Sequence, residues 1–229
     1  MELRLRIFRF DPQADVEPYY RNYTVQAGLN ERVLDCLNRI KWEQDGTLGY
    51  RMSCAHGVCG SDAMRINGRC ALACQKLVSD LEGQDILLEP LPSFKVLKDL
   101  IVDLEPFFSK VDQIRPYLIA SSPPEMERLQ SQEDRKKMGE AIRCILCACC
   151  VGACPVSNEN NSFLGPAPLV QAFRRIFDSR DEKRAERLEQ LNLPDGVWGC
   201  VNHFECTKAC PKEIPVTKYI NMMKKQIGR

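Results

Sequence analysis

The chain has 229 residues, of which 32 are lysine or arginine and 31 are aspartate or glutamate, so its formal net charge is +1. This balance, together with an aromatic content of 7%, argues against the basic, aromatic-rich surface that binds nucleic acid. Hydrophobic residues make up 44% of the chain, yet no run of them reaches the roughly 20 residues that a membrane-spanning helix requires. A chain of this length accommodates two domains that each bury a core.

The N-terminus and the cysteine count indicate the compartment. Met1 leads directly into the alternating strand pattern of residues 2–8, with neither the pattern of a signal peptide nor an Arg/Ser-rich presequence. We therefore expect an unexported bacterial protein or a mature organellar one. In a reducing compartment, 13 cysteines indicate metal ligands rather than disulfides.

The N-terminal part of the chain has the pattern of a small α+β domain. Alternating residues predict two strands that form a hairpin, and apolar residues at helical spacing predict a helix after it. The predicted elements are strands over 2–10 and 19–25, a helix over 31–43, a strand and turn over 64–68, and a strand over 85–88. Cys36 lies among the apolar residues of the predicted helix, so we expect it to be packed. We interpret this part as a β-grasp-like domain.

Prolines mark the connection to a second domain. Six prolines lie between residues 89 and 124, which indicates irregular structure, and we place the boundary near Asp103. The predicted domains are 1–103 and 104–229. The second is expected to be all-α, with helices over 125–143, 168–177, 181–191 and 216–227. Charges of both signs at helical spacing over 180–190 are typical of a solvated helix face.

The most specific motif lies in the second domain. It reads Cys144-x2-Cys147-x2-Cys150-x3-Cys154-Pro155. This is the spacing of bacterial ferredoxins, in which three cysteines bind one cluster and the fourth binds another. A structural zinc site needs four ligands, usually in two separated pairs, so the run disfavours zinc and predicts iron-sulfur clusters. Cys149 lies outside the ligand register, and we expect it to be a packed thiol.

A second run repeats this frame with one change. It reads Cys200-x2-His203-x2-Cys206-x3-Cys210-Pro211. If the fourth cysteine of each run crosses to the other cluster, one cluster receives four thiolates and the other only three. The ligands of the predicted 4Fe-4S cluster are then Cys144, Cys147, Cys150 and Cys210. The ligands of the remaining cluster, expected to be 3Fe-4S, are Cys154, Cys200 and Cys206.

His203 stands where the second run lacks a cysteine, and three interpretations stay open. The residue neighbours a 3Fe-4S cluster that lacks the iron at this corner, it is the fourth ligand of a 4Fe-4S cluster, or it is a surface residue unrelated to either. The first interpretation follows most directly from the missing thiolate.

An earlier motif predicts a third cluster. Its frame is Cys54-x4-Cys59-x2-Asp62, followed by Cys74. This matches the C-x4-C-x2-C…C spacing of plant-type ferredoxins with aspartate at the third position, so we predict a 2Fe-2S cluster held by these four residues. A carboxylate is a harder ligand than a thiolate, and the iron at Asp62 should be more labile. Cys70 is the rival fourth ligand, although it lies outside the frame.

Together these motifs resemble the iron-sulfur subunits of the succinate dehydrogenase and fumarate reductase family. Further similar stretches are Ser53–Asp62, Asn67-Gly68, Leu72–Cys74, Phe94–Val102, Gly165–Ala167 and Asp178–Asp181, so the resemblance spans nearly the whole chain. It implies an N-terminal β-grasp domain of the plant-type ferredoxin kind, followed by an all-α domain similar to bacterial ferredoxins. Some members of the family also carry aspartate at the position of Asp62.

The resemblance implies a role in electron transfer. Succinate is then oxidised to fumarate on a flavoprotein partner that holds FAD, and electrons pass through the 2Fe-2S, 4Fe-4S and 3Fe-4S clusters to a quinone. A menaquinol:fumarate reductase runs the same relay in reverse. This chain itself would supply no catalytic residue. Its expected partners are the flavoprotein and membrane anchor subunits that bind quinone or haem, with no nucleic acid, at the cytoplasmic face of the bacterial inner membrane.

The resemblance also implies a quinone beside the 3Fe-4S cluster. Pro155 and Lys224 match family positions near the quinone, and His203 is a further polar candidate there. Members that use ubiquinone carry a tryptophan shortly after the Cys-Pro pair and a histidine directly after the cysteine that matches Cys200. Here residues 156–159 contain no aromatic side chain and Val201 replaces that histidine, which favours menaquinone.

Two rival functions are distinguishable from this one. Iron-sulfur subunits of other flavin-linked complexes, such as those that handle glycolate, glycerol phosphate or heterodisulfides, carry paired Cys-Pro runs but normally lack the N-terminal plant-type domain. A zinc-bound interaction module is disfavoured by the near-neutral charge and the cysteine spacing.

Overall fold

The computed structural model describes residues 1–81 and 85–228, which form two compact units. Unit 1 consists of Met1–Leu104 and Ile145–Ala153, and unit 2 consists of Glu105–Cys144 and the residues from Cys154 onward. The segment Ile145–Ala153 thus belongs by its contacts to unit 1, although it lies within the second domain expected from the sequence. The domain limits 1–103 and 104–229 remain predictions made from the sequence.

In the described part of unit 1, five strands form one sheet. They are β1 (Glu2–Arg9), β2 (Tyr19–Gln26), β3 (Ala63–Ile66), β4 (Arg69–Leu72) and β5 (Asp85–Glu89), in the order β2-β1-β5-β3-β4. β1 pairs antiparallel with β2, which confirms the predicted hairpin, and parallel with β5. Asn67 and Gly68 connect β3 to β4 with positive φ at both positions, as a tight two-residue hairpin requires.

One helix and several short elements complete unit 1. The helix α1 (Val33–Glu43) contacts β2, and its buried residues are Val33, Leu34, Cys36, Leu37 and Ile40. Burial raises the pKa of Cys36 to about 11, so this thiol stays protonated at neutral pH, and the prediction that it is packed is confirmed. The remaining elements are a 3-10 turn at Val78–Asp80, a ribbon of β6 (Val96–Lys98) and β7 (Ile101–Val102), and the short helix α4 (Cys149–Gly152).

A buried arginine links the end of β1 to two loops. The Arg9 guanidinium donates to Asp45 Oδ2 at 2.6 Å, to Asp99 Oδ1 at 2.9 Å and to Thr47 Oγ1 at 2.8 Å. The Tyr23 hydroxyl accepts a hydrogen bond from Arg9 and donates one to Asp45 Oδ2. Each buried charge in this Arg9 cluster therefore has a charged, hydrogen-bonded partner. Removing one partner would leave the other uncompensated.

Unit 2 is helical, and none of its described residues lies in a strand. Its α-helices are α2 (Glu105–Gln113), α3 (Gln132–Lys137), α5 (Pro155–Glu159), α6 (Pro166–Ile176), α7 (Arg184–Leu191), α8 (Glu205–Lys208) and α9 (Val216–Ile227). Two 3-10 turns span Gly139–Arg143 and Val197–Gly199. Within the described ranges, none of the helices combines the length and the apolar character needed to cross a bilayer.

Two predictions about unit 2 are wrong. The helix expected over residues 125–143 is reduced to α3 and a 3-10 turn, because the Ser131 hydroxyl caps α3 and Gly139 adopts a φ of +52° after it. The connector expected to be irregular contains α2. Pro106 lies in the first turn of that helix, where an N–H donor is not needed, so proline is tolerated there.

The segment expected to be a solvated helix face contains a buried arginine. Arg187 donates to both carboxylate oxygens of Asp181, at 3.1 and 2.9 Å, and to the carbonyls of residues 114, 115 and 117. Most of the segment 180–190 is exposed, as the mixed charge pattern predicts, and Arg187 is an exception because spacing alone does not distinguish a solvated charge from one that binds the carbonyls of a neighbouring loop.

The Arg9 cluster makes a pH-dependent contribution to stability. Although burial raises the pKa of Asp45, hydrogen bonds from Thr47, Tyr23 and Arg9 hold it well below its usual value. The stabilisation is complete above the unfolded-state pKa of about 3.9 and is lost as the pH falls through the folded-state pKa. We expect Asp45→Asn to lower the free energy of unfolding by about 3–5 kcal/mol at neutral pH, and this difference to shrink below about pH 4. Urea titrations followed by circular dichroism measure both quantities.

Asp85→Asn is the matched control for this variant. Asp85 pairs with Arg4 at 2.8 Å on the surface, where their side chains are 71% and 65% exposed. An exposed pair contributes about 0–1 kcal/mol, so this variant should unfold nearly as the wild type does. A loss in Asp45→Asn no larger than that in Asp85→Asn, or one independent of pH, would contradict the stabilising role of the cluster.

Candidate metal centres

The loop between α1 and β3 surrounds the sulfur of Cys54 with backbone donors. The N–H groups of His56, Val58 and Cys59 donate to Cys54 Sγ over 3.5, 3.4 and 3.2 Å. The His56 N–H contributes most, and together these hydrogen bonds lower the pKa of Cys54 to about 6. Thiolate is the form of cysteine that binds metal, so this loop favours a metal-bound sulfur at Cys54.

Cys59 lies in the same loop and has its own polar neighbour. Its Sγ is 3.1 Å from the Ser61 hydroxyl oxygen and accepts the Ser61 N–H over 3.5 Å. Ala55, Gly57 and Gly60 adopt φ values of +57°, +76° and +71°. Left-handed residues at such intervals turn successive N–H groups toward one side, the geometry of backbone nests that hold anions and iron-sulfur clusters.

Asp62 is buried with one carboxylate oxygen unpaired. The residue is 3% exposed, and its Oδ2 accepts the Cys74 N–H at 2.5 Å, whereas Oδ1 has no hydrogen-bond partner among the described residues. Burial, followed by a hydrogen bond to Asp62, raises the pKa of Cys74 to about 12, so the two side chains lie together. A buried carboxylate oxygen without a partner is unfavourable, and a metal ion would supply the partner that it lacks. The residues therefore fit a metal-bound group.

Cys70 makes different contacts. Its Sγ lies 3.2 Å from the position that a Cβ would take on Gly152, so the thiol packs β4 against α4. Burial raises the pKa of Cys70 to about 11, which keeps it protonated at neutral pH. These contacts are those of a packed thiol.

Glycine at position 60 allows two cysteine-bearing segments of unit 1 to meet. A Cβ built on Gly60 would lie 2.7 Å from the Cβ and 2.9 Å from the Cα of Cys147. Contacts this short do not occur between real atoms, so the segment Ile145–Ala153 can approach the loop this closely only because residue 60 has no side chain. The positive φ of Gly60 imposes the same requirement.

The two cysteine runs share one backbone conformation. Leu146 and Ala148 in the first run adopt φ values of +54° and +64°, and Asn202 and Phe204, at the equivalent positions of the second, adopt +63° and +65°. Ala148 and Phe204 each precede a four-residue helix, α4 and α8 respectively. Few residues other than glycine adopt positive φ, so the agreement at both positions indicates the same structural demand in both runs.

Three of the predicted ligands lie around one small cavity in unit 2. Cys154, Cys200 and Cys206 line this cavity of about 20 Å³, together with Pro155 and His203. His203 lies between the two left-handed residues of its run, as Cys147 does in the first. The structure thus brings together the three cysteines of the predicted 3Fe-4S set and the histidine at the position without a thiol.

Lys224 does not line this cavity but binds one of the loops that form it. Its Nζ donates to the Cys200 carbonyl at 2.6 Å and lies 5.6 Å from the centre of the Trp198 ring. The ammonium group therefore holds the backbone of a predicted ligand.

Cys149 is fully buried and behaves as a packed thiol. A hydrogen bond from the Cys149 thiol to Cys147 raises the pKa of Cys149 well above its usual value and lowers that of Cys147. Cys149 therefore stays protonated beside a predicted ligand.

All 13 cysteines lie in the described ranges and form no disulfide. In the same ranges no three cysteine, histidine, aspartate or glutamate side chains converge on a point that would hold a single metal ion. A cluster is bound through several irons, so its ligands are spread more widely than those of one ion. The residues of the predicted 4Fe-4S set belong to both units, and the assignment rests on their spacing.

Sequence reasoning missed the residues that shape these sites without binding metal. Examples are the left-handed Leu146 and Phe204, and Thr217, whose hydroxyl lies 3.4 Å from Cys206 Sγ. Glycine or asparagine would have signalled positive φ, but leucine and phenylalanine do not. A threonine within an amphipathic helix has no distinguishing pattern either.

Comparison with known proteins identifies two regions of the chain. Residues 4–109 match the model of the 2Fe-2S iron-sulfur cluster binding domain family, and residues 140–214 match that of the 4Fe-4S dicluster domain family. A chain with both domains in this order carries a 2Fe-2S centre followed by a 4Fe-4S centre. The mixed sheet and the helices described above are the frameworks of these two domains.

Relatives match over nearly the whole length of the chain. The succinate dehydrogenase iron-sulfur subunit of Coxiella burnetii is 40% identical over 225 residues, which cover 96% of this chain and 95% of that protein. The subunit of the same name from Paracoccus denitrificans is 42% identical over 224 residues, which cover 96% of this chain and 86% of that protein. A chain in the solved structure of the Mycobacterium smegmatis Sdh1 complex in the apo form superposes with a TM-score of 0.85 at 26% sequence identity. The superposition covers 99% of this chain and 95% of that chain.

Gly60→Ala tests the close approach of Cys147. The new Cβ would clash with the backbone and side chain of Cys147 and would occupy a left-handed residue, so we expect a loss of about 2–5 kcal/mol from overpacking and backbone strain together. Reduced iron content and a lower melting temperature, followed by visible absorbance and circular dichroism, would register this loss.

Gly68→Ala separates the two causes. Gly68 has a φ of +78°, close to that of Gly60, but a Cβ built on it meets nothing within 4 Å. Gly68→Ala should therefore be destabilised only by backbone strain, by roughly 1–2 kcal/mol, and should retain its iron. Equal effects of the two variants would show that the contact with Cys147 is unimportant.

Proposed function

This chain belongs to the family of succinate dehydrogenase iron-sulfur subunits, and on that premise we propose that it carries electrons from FAD in a flavoprotein subunit to a membrane quinone. The order of centres is 2Fe-2S, 4Fe-4S and 3Fe-4S, while succinate is oxidised to fumarate on the flavoprotein. The observation that carries the proposal is the common backbone of the two cysteine runs, with His203 in the second at the place of Cys147 in the first.

The 2Fe-2S centre is proposed to be held by Cys54, Cys59, Asp62 and Cys74. The backbone donors around Cys54, and the unpaired, buried Oδ1 of Asp62 beside Cys74, support this set. Cys70 is the rival for the fourth position. Its contact with Gly152 and its position outside the cysteine frame favour Asp62.

The 4Fe-4S centre is proposed to be held by Cys144, Cys147, Cys150 and Cys210. The bacterial ferredoxin spacing supports this set, and so does the match of residues 140–214 to the 4Fe-4S dicluster family.

The 3Fe-4S centre is proposed to be held by Cys154, Cys200 and Cys206. Their position around one cavity supports the set, and the absence of a thiol at position 203 of the cysteine frame supports a cluster that lacks one iron. A 4Fe-4S cluster with His203 as its fourth ligand is the alternative. The 3Fe-4S and 4Fe-4S cluster types differ in their magnetic properties, so electron paramagnetic resonance distinguishes them.

When bound, the clusters supply one-electron oxidation and reduction, and the chain supplies their surroundings. The N–H groups around Cys54 stabilise negative charge on its sulfur. Burial of Cys74 and Cys206 keeps water away from two further sulfurs. No residue of this chain is proposed to act on the substrate, whose chemistry is assigned in the proposal to the flavoprotein subunit.

A quinone is proposed to bind near Pro155, His203 and Lys224. Pro155 and His203 share the cavity with the proposed 3Fe-4S ligands, and Lys224 holds the Cys200 carbonyl beside it. Because residues 156–159 lack an aromatic side chain and residue 201 is valine, menaquinone is the favoured quinone. With menaquinol as donor, the same relay run in reverse reduces fumarate, which is the alternative physiological direction.

The proposal includes an assembly. The chain is expected to bind the flavoprotein subunit and one or more anchor subunits that hold quinone or haem, and so to lie at the cytoplasmic face of the bacterial inner membrane. The chain within the Mycobacterium smegmatis Sdh1 complex supports such an assembly by its likeness. By the same likeness, the first domain is proposed to be a plant-type β-grasp ferredoxin fold and the second a bacterial-ferredoxin-like fold.

Electron paramagnetic resonance of the purified complex tests the function and the cluster types. Oxidised samples should show a 3Fe-4S signal and reduced samples should show 2Fe-2S and 4Fe-4S signals, and succinate or a quinol should change the signals of those centres that it can reduce. A colourless zinc protein would refute the electron-transfer role. A second 4Fe-4S signal in place of the 3Fe-4S signal would instead assign His203 as a ligand.

Asp62→Ala and Cys70→Ala decide the fourth ligand of the 2Fe-2S centre. The first removes the only carboxylate of the proposed set, so we expect loss of most of the 2Fe-2S signal, while Asp62→Cys, which completes the plant-type frame, should retain it. The second removes a packed thiol and should leave the signal intact. Spin quantitation of the 2Fe-2S signal in each complex makes the comparison, and the reverse pattern would assign Cys70.

A further inference from the structure

The hydroxyl of Thr217 lies against the sulfur of a proposed cluster ligand. Thr217 belongs to the first turn of α9, its side chain is 1% exposed, and its Oγ1 is 3.4 Å from Cys206 Sγ. It also lines the cavity that Cys154, Cys200 and Cys206 share. Thr217 is therefore adjacent to the site but, as a neutral hydroxyl outside the cysteine frame, is not one of its ligands.

A second threonine orients this hydroxyl. The Thr217 N–H is one of the donors at the start of α9 that the helix leaves unpaired, and it donates to Thr207 Oγ1 at 3.1 Å. The two hydroxyl oxygens are 3.2 Å apart. Thr207 lies in α8 next to Cys206, so the pair of threonines connects the helix that carries the ligand to α9.

The protonation state of a metal-bound cysteine determines the direction of the hydrogen bond. A cysteine that binds metal is a thiolate, which has no proton to donate. The Thr217 hydroxyl is then the donor and Cys206 Sγ the acceptor. If Thr207 donates its single hydroxyl proton to Thr217 Oγ1, the Thr217 proton is left for the sulfur, and both hydroxyls are satisfied.

We propose that Thr217 is a positioning residue that raises the reduction potential of the cluster held by Cys206 through this hydrogen bond. Reduction adds negative charge that is shared with the ligand sulfurs, so a donor to sulfur stabilises the reduced form more than the oxidised form. Burial of both side chains strengthens the effect, because little water competes for the sulfur. The inference rests on the proposed function, in which Cys206 is a cluster ligand.

The test compares midpoint potentials in the purified complex. Thr217→Val keeps the size of the side chain and removes its hydroxyl, whereas Thr217→Ser keeps the hydroxyl. In redox titrations followed by electron paramagnetic resonance, we expect a lower midpoint potential for the Cys206 cluster in Thr217→Val and a wild-type value in Thr217→Ser. Thr207→Val removes the hydroxyl that orients Thr217 and accepts its N–H but leaves the Thr217 hydroxyl in place, so it should give a smaller shift in the same direction. The 2Fe-2S potential should stay constant throughout as the internal reference.

A Cys206→Ser variant separates failure of this inference from failure of the proposed function. If Cys206→Ser leaves every cluster signal unchanged, the assignment of Cys206 as a cluster ligand is refuted, and the proposed role of Thr217 is refuted with it. If it alters one signal while Thr217→Val leaves the potential of that signal at the wild-type value, only the role of Thr217 is refuted. The comparison applies equally whether that signal is of the 3Fe-4S or the 4Fe-4S type.

Loss of the cluster in Thr217→Val is also informative. Thr217→Ala then provides a second variant without the hydroxyl, and a lowered potential in it supports the proposal. If both variants lose the cluster while Thr217→Ser keeps it, the hydroxyl is required for cluster retention rather than for tuning, and the proposal is overturned.

Discussion

The constraint on which the candidate sites depend is the turn of the backbone between closely spaced cysteines. Side chains three positions apart point to one place only when the chain between them curls tightly, and here left-handed residues produce that curl. Leu146 and Ala148 do so in one run, and Asn202 and Phe204 in the other. A left-handed φ is unfavourable for residues other than glycine, and it persists only where the surrounding structure enforces it. The two runs have different residues at these positions and the same φ values, which indicates the same structural demand in both.

Hydrogen bonding to sulfur is the second feature that the sites share. Cys54 accepts backbone N–H groups from its own loop, and Cys206 lies beside a threonine hydroxyl that a second threonine orients. These donors come from different kinds of structure, a nest of amides in one case and a helix start in the other. In both, the chain places partial positive charge where a bound thiolate would carry negative charge, which is how proteins adjust the potentials of iron-sulfur centres.

Local sequence patterns predicted strands and helices best where burial of one apolar face dominates. The alternation in β1 and β2 predicted their hairpin, and the apolar spacing in 31–43 predicted α1. The same reasoning failed over 125–143, where a capped start and a left-handed Gly139 divide the segment. It failed for Arg187 as well, because a charged residue in a mixed pattern binds carbonyls that are more than seventy positions earlier in the chain, at Ile114 and Arg115.

The sequence by itself determined which residues are candidates for metal binding, because cysteine spacing limits which thiols can share a cluster, and the spacing included both exceptions, Asp62 and His203. Only the tertiary structure decided what surrounds them. The unpaired oxygen of Asp62 results from its burial, and the packing of Cys70 against Gly152 and the hydroxyl of Thr217 at Cys206 join residues from different elements of the fold. Such contacts depend on how helices and loops pack, and the spacing of residues along one segment carries no record of them.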